Sequence, residues 1–169
     1  MLHKFDNTSP EFTTIRQEWM ALLARAPNTL LDDIVGQHIG LAEPRWLRRP
    51  ETGLMMIQAR VGGSGERFNL GEVTVTRCAL RLGEMNDGSP VGVSYVLGRN
   101  HRHAQLAAVA DALLQDVTHH GDLEVKLLEP IRKFLKNKKS ISHKRAQTTK
   151  VDFFTVAREA SSGDDEEAS

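Results

Sequence analysis

The residues most able to do chemistry in this chain are arginines. Arg60, Arg67, Arg77, Arg81 and Arg99 all fall in or beside a stretch with strand-like sequence. A guanidinium is a planar fork that suits bidentate contact with phosphate or phosphonate oxygens. Arg77 and Arg81 are four apart, so on an extended strand they share a face. The plainer reading is that the arginines pair with Glu51, Glu66, Glu72 and Glu84 or face water, and spacing alone favours it.

The run Gly62-Gly63-Ser64-Gly65-Glu66-Arg67 resembles a phosphate-binding loop only superficially. Such a loop ends in Gly-Lys-Ser/Thr at a helix N-terminus, where backbone amides and the helix dipole meet the anion. Here the next segment is another strand. Two readings stay open: a plain hairpin turn, or a loop that touches a ligand or partner. Glycine permits the positive φ and close backbone approach that either requires.

His101 and His103 flank Arg102, and His119 and His120 sit near a helix end. Histidines two apart on a helix do not share a face, so a metal site would need ligands from elsewhere. His103 stays a candidate for substrate or partner contact. There is no nucleophile-base-acid arrangement, no CxxC pair and no carboxylate pair at a recognisable spacing. Neither a catalytic residue nor a metal site is therefore assigned.

Lysines and arginines balance aspartates and glutamates at 22 each, so no net field draws the chain to nucleic acid or membrane. The average hides an asymmetry. The segment from Lys133 to Lys150 is basic, and Asp164 to Glu167 is acidic. The basic run could grip polyphosphate or nucleic acid, but it carries only Phe134 as an interleaved aromatic; a solvated helical face explains it more simply. The single cysteine, Cys78, excludes an internal disulfide and fits a reducing compartment as a buried structural thiol. No apolar stretch nears the ~20 residues that span a bilayer, and the N-terminus lacks an apolar signal region. A cytoplasmic location is expected.

The elements that would position these side chains can be read from periodicity. Residues 1–12 read as a flexible arm. Thr13 or Thr14 should cap a helix through Ile15, Trp19, Met20, Leu22 and Leu23, stopped by Pro27 and Asn28. A second short helix runs from Thr29 to Ile39, ended by Gly40. Arg45 to Pro50 reads as a basic, apolar linker. Thr52 to Val61, Gly71 to Leu82 and Val91 to Leu97 read as strands joined by short turns, which argues for an antiparallel meander. Helices are then expected over Arg102 to Thr118 and Leu123 to Leu135, the second kinked or interrupted by Pro130. Residues 13–158 should form one α+β domain, a small antiparallel sheet of about three strands flanked by N-terminal and C-terminal helices. Residues 159–169 read as a disordered acidic tail.

Several motifs together resemble a known family, the PhnG family of the bacterial carbon–phosphorus lyase system. They are Arg16-Gln17-Glu18-Trp19-Met20, Glu51-Thr52-Gly53-Leu54, and Ile57-Gln58-Ala59-Arg60 with Gly62-Gly63 and Gly65-Glu66-Arg67-Phe68. Gly71 with Thr74, Thr76, Arg77 and Arg81 follows, then Tyr95-Val96-Leu97-Gly98-Arg99 with His103-Ala104, and lastly Val151-Asp152-Phe153-Phe154-Thr155. The resemblance spans about residues 16 to 158. The first twelve residues, the 122–145 segment and the acidic tail depart from the pattern, so no role is carried over to them.

The resemblance implies one member of a complex with the carbon–phosphorus lyase subunits I, H and J, acting in phosphonate catabolism. That machinery joins an alkylphosphonate to the ribose C1 of ATP with displacement of adenine; ATP is a co-substrate of the complex, and no cofactor is expected on this chain alone. The nucleosidase-type chemistry is usually attributed to the I subunit, and radical cleavage of the carbon–phosphorus bond to the iron–sulfur J subunit. A PhnG chain would be needed for the transfer without holding a reactive centre. The candidate contacts are then Arg60, Gly62, Gly63, Gly65, Arg67, Arg77, Arg81, Arg99 and His103. Surplus apolar surface on the N-terminal helices and at Val151 to Val156 points to self-association and partner contact, with Trp19, Met20, Phe153 and Phe154 at the interface. The alternative is a stand-alone nucleotide- or nucleic-acid-binding module using the basic 133–145 segment.

Overall fold

A computed structural model describes residues 10–41, 44–83 and 89–148, with only the backbone described for 37–41. The expected apolar segment Val151 to Val156, with Phe153 and Phe154, and the acidic tail lie outside the described residues.

Helices α1 (Pro10–Leu23) and α2 (Asn28–Leu41) precede a three-stranded antiparallel sheet, β1 (Arg45–Arg60), β2 (Arg67–Arg81) and β3 (Val91–Leu97), in spatial order β1-β2-β3. Helices α3 (His101–Leu114) and α4 (Val117–Leu123) follow; a π-helical turn over Glu124–Leu128 leads into α5 (Glu129–Thr148). The α+β arrangement agrees with the periodicity of the sequence.

Helix α1 begins three residues before the expected threonine cap. Pro10 starts it, since its missing N–H is an orphan donor at a first turn in any case. Thr14 instead turns its hydroxyl back onto the Pro10 carbonyl, 3.1 Å away. Phe12, expected in the arm, is buried and meets Trp19 edge-on, with ring centroids 5.6 Å apart.

The stretch Arg45 to Pro50, expected as a linker, is the first part of β1. A ladder normally rejects proline. It is accommodated because pairing with β2 slips between Trp46 and Arg48 and again between Arg48 and Glu51, so Pro50 occupies an irregular position. Strand β2 pairs with β3 only from Val75 to Arg81, whereas it pairs with β1 back to Arg67. The far half of the β1–β2 hairpin therefore extends beyond the third strand as a two-stranded arm.

Helix α3 covers one face of the sheet. From Leu106 to Leu114 it is buried on every side and apolar but for Asp111. Thr76, Cys78, Leu80, Ser94 and Val96 face it from the sheet, and Trp19, Leu23, Leu31 and Val35 of α1 and α2 belong to the same core. The helix lies unusually close to β3 at Gly92. A Cβ there would stand 1.9 Å from the Ala108 carbonyl oxygen and 2.9 Å from the Ala112 Cβ. Glycine is required by space, not by backbone angle.

The single helix expected to Thr118 is broken after Leu114, where Asp116 accepts from the Thr118 amide at 2.9 Å and caps α4. Pro130 sits in the first turn of α5, directly after the π-helical turn. The wider turn makes room for a ring that an ordinary helix would drive into the preceding carbonyl.

Candidate functional site

The arginines do not converge on one point. Arg60 and Arg67 are paired opposite each other at the tip of the hairpin arm. Arg77 lies on the three-stranded part, ten residues further along β2, which is ~33 Å of extended chain. They are spread along the sheet: Arg60 and Arg67 at the tip, Arg77 on the three-stranded part, and Arg81 and Arg99 toward opposite ends of the β2–β3 ladder.

At the tip, Gly62 and Gly63 take φ of 59° and 84°, and a Cβ at Gly65 would meet the Val61 carbonyl oxygen at 2.7 Å. All three glycines are thus needed to build the turn. The Gly65 amide donates to the Val61 carbonyl at 2.8 Å, and Arg60 Nη1 donates to the Gly65 carbonyl at 3.1 Å. Two guanidiniums side by side repel, and the Arg60 bond to its own turn offsets part of that. The chain continues into β2, so no helix N-terminus meets an anion here.

On the sheet face opposite α3, Arg77 stands against Tyr95 and Glu51 in the ladder. Arg77 Nε donates to Glu51 Oε1 at 2.7 Å, and Arg48 Nη1 donates to the same oxygen at 2.8 Å. The Arg77 guanidinium, with Arg48 beside it, holds the Glu51 carboxyl below the usual carboxylate range. Arg77, Tyr95, Val75 and Met55 surround a shallow hollow of about 110 Å³. Arg81 shares this face, as period-2 geometry requires, and is half-buried. Arg99 is exposed just after Gly98, whose φ of 89° turns the chain from β3 toward α3.

That turn carries a polar chain that periodicity and motifs do not reveal. Thr76 donates its hydroxyl to the Gly98 carbonyl at 2.6 Å and accepts from the Asn100 amide at 3.2 Å. Thr52 Oγ1 lies 3.3 Å from Thr76 Oγ1 and 3.0 Å from His101 Nε2. Asn100 caps α3 by accepting from the His103 amide at 3.0 Å.

The histidines diverge. His103 is buried, with Nε2 2.8 Å from the Leu23 carbonyl; a carbonyl only accepts, so Nε2 carries the proton. His103 therefore ties α3 to the end of α1. His119 turns to Asp116, and His120 Nδ1 lies 2.8 Å from the Leu114 carbonyl. Among the described residues no group of three His, Cys, Asp or Glu is placed to hold a metal ion.

Trp19, expected at an interface, belongs to the core of this chain. It is 2% exposed, and its indole N–H donates to Asp111 Oδ1 at 2.8 Å. Met20 packs, partly buried, against the same core. Exposed apolar side chains lie instead mostly on the sheet and its arm: Leu54, Met55, Met56, Phe68, Leu70 and Leu97. Ile15 is the exposed large apolar residue of α1.

Asp111 is absent from the candidates that sequence reasoning supplies. It is fully buried, and its carboxylate accepts from Arg16, Trp19 and the Val93 amide. One signal could have found it: a lone acid inside the apolar run Ala107 to Leu114 needs buried donors.

These features define a class of protein: a one-sided α+β sheet whose uncovered face and projecting arm carry arginine and apolar side chains. Residues 14–159 match the family described as phosphonate metabolism protein PhnG. The chain belongs to the PhnG family. A curated relative from Rhizobium meliloti (strain 1021) is 38% identical over 146 residues, covering 85% of this chain and 88% of the relative. That relative is named alpha-D-ribose 1-methylphosphonate 5-triphosphate synthase subunit PhnG. None of the described helices is long and apolar enough to cross a membrane.

Proposed function

We propose that this chain is a subunit of a ribose 1-methylphosphonate 5-triphosphate synthase in phosphonate catabolism, working inside a multi-subunit assembly with subunits I, H and J. The similarity to the Rhizobium meliloti relative over most of both chains carries this reading. In the reaction a phosphonate oxygen attacks the ribose C1 of ATP, the glycosidic C–N bond breaks, and adenine leaves with its electron pair and takes up a proton. ATP enters as co-substrate of the assembly in the cytoplasm, and this chain brings no cofactor of its own.

The transfer brings two anions together, phosphonate and triphosphate, and fixed cations favour that encounter. The side chains suited to the task are Arg77, Arg81 and Arg99 on or beside the uncovered sheet face. Arg60 and Arg67 stand at the tip of the arm, Arg60 ending β1 and Arg67 opening β2, so their task is contact with a neighbouring subunit through the arm. The Glu51 carboxylate holds Arg77 in place until an anion competes for it.

The test is co-expression with candidate partner subunits, followed by arginine-to-alanine variants scored separately for assembly and for adenine release. Arg77→Ala, Arg81→Ala or Arg99→Ala should lower adenine release while the complex stays intact. Arg60→Ala or Arg67→Ala should weaken assembly. Full activity and intact assembly in all five single variants would remove the proposed roles, and failure to co-purify with any subunit would remove the reading itself.

A further inference from the structure

The strongest feature that this function leaves unused is the last of the described helices. Helix α5 is 20 residues long, ~30 Å, and Ile131 in its first turn is its buried residue. From Arg132 to Thr148 every residue is exposed except the half-buried Leu135. A helix this charged and this unsupported is marginal in water, because helices in proteins draw most of their stability from packing.

Between α5 and the end of α1 lies a groove of about 920 Å³. Its floor includes Leu22, Leu97, Leu135 and Ala146, and its cations are Arg25, Arg132, Lys136, Lys138 and Lys139. Among the described residues no carboxylate lines it. Arg132 is neutralised by Glu124, but Lys136, Lys138 and Lys139 have no ion-pair partner among the described residues. On α5 the lining positions 132, 135, 136, 138, 139, 142, 143 and 146 recur three and four apart, so they form one continuous stripe with Lys138 at its edge. Phe134 and Ile141 are exposed along a neighbouring stripe.

We propose that this groove receives an acidic, amphipathic segment of a partner protein, whose apolar side chains lie on the leucine floor and whose carboxylates pair with Lys136, Lys138 and Lys139. Charge complementarity sets the sign of the occupant. The floor sets its kind: it is aliphatic, with His143 the single ring among the lining residues, so a protein segment fits better than nucleic acid, whose bases stack on successive rings. Apolar side chains on two stripes of the helix call for a partner surface rather than one strand of chain, which disfavours the chain's own Asp164 to Glu167. The proposal rests on membership of an assembly and adds the surface and the chemistry of the contact.

The experiment uses the full chain purified in its assembly. A carbodiimide, which joins amines to carboxylates in direct contact, is applied and the cross-links are mapped by mass spectrometry. Lys136, Lys138 or Lys139 should be joined to Asp or Glu of another subunit. The triple variant Lys136→Glu, Lys138→Glu, Lys139→Glu should retain that subunit about tenfold less well, with wild-type retention weakening as salt rises. All three lysines are exposed, and an unchanged melting profile checks that the variant folds. Cross-links to Asp164–Glu167 of the same chain overturn the proposal in favour of its own tail. Nuclease-sensitive nucleic acid, bound by wild type and lost in the variant, overturns it in favour of nucleic acid. Absence of cross-links with unchanged retention overturns it outright, yet leaves subunit membership standing, because wild-type co-purification is read independently.

Discussion

Arg16 grips Asp111 across 95 residues of sequence, with Nη2 2.7 Å from Oδ2 and Nε 3.2 Å from Oδ1. The Trp19 indole takes the same Oδ1 at 2.8 Å, and the Val93 amide takes Oδ2 at 2.8 Å. One carboxylate thereby joins α1, β3 and α3. This explains why Arg16 and Trp19 stand together in the resemblance-bearing motif: both serve Asp111, one turn apart on α1.

Breaking that junction should be costly. Asp111→Ala takes the acceptor from a buried indole N–H and leaves the part-exposed Arg16 guanidinium only the Val91 carbonyl, so a loss of ~3 kcal/mol is expected. Denaturant unfolding measures it, and a double-mutant cycle with Arg16→Met should show strong coupling. A change below ~1 kcal/mol would mean that water replaces the carboxylate freely.

Gly92 offers a steric test. Gly92→Ala places a methyl group inside the Ala108 carbonyl, so α3 must lift from β3, at a cost of ~3 kcal/mol. Gly53→Ala is the control, because nothing lies within 4 Å of its Cβ position. Thermal denaturation should separate the two variants clearly.

Burial pushes the Cys78 thiol up to about 12. Under mildly alkaline conditions the native chain should resist alkylation, whereas the unfolded chain reacts once per molecule, since there is one cysteine. The linkage has a definite sign. The unfolded thiol ionises near its ordinary value while the folded thiol keeps its proton, so the contribution of Cys78 to stability falls as pH rises from about 9 toward 12. Comparing unfolding in wild type and Cys78→Ala across that range isolates it from the other alkaline groups.

The β1–β2 arm should be poorly protected in the isolated chain. A two-stranded hairpin is marginal in water, and this one exposes Leu54, Met56, Phe68 and Leu70. Hydrogen exchange should be fast at 54–60 and 67–73 in the free protein and slow in the assembly. Equal rates in both states would place the partner contact elsewhere.

Much of the fold is legible in one dimension. Val91 to Leu97 matches β3 residue for residue, and the turn chemistry between strands marks the meander. Cys78 reads as buried and is. The departures have local causes. Pro50 argues for a linker because a proline lacks a ladder donor, but a slip in register makes room for it. Phe12 reads as part of a loose arm, but α1 starts at Pro10 and Phe12 is buried against Trp19.

What the sequence determined by itself is whatever repeats at short range. Helix and strand periods, capping residues and glycine turns are set by neighbours a few positions apart, so they show along the chain. The tertiary structure alone decided where the arginines stand, which splits them between arm and sheet, and which histidine is locked away on a carbonyl. It alone brought Arg16 to Asp111 and Gly92 beneath Ala108. Those pairings join residues far apart in the chain, and nothing in local spacing encodes a contact that depends on how layers stack.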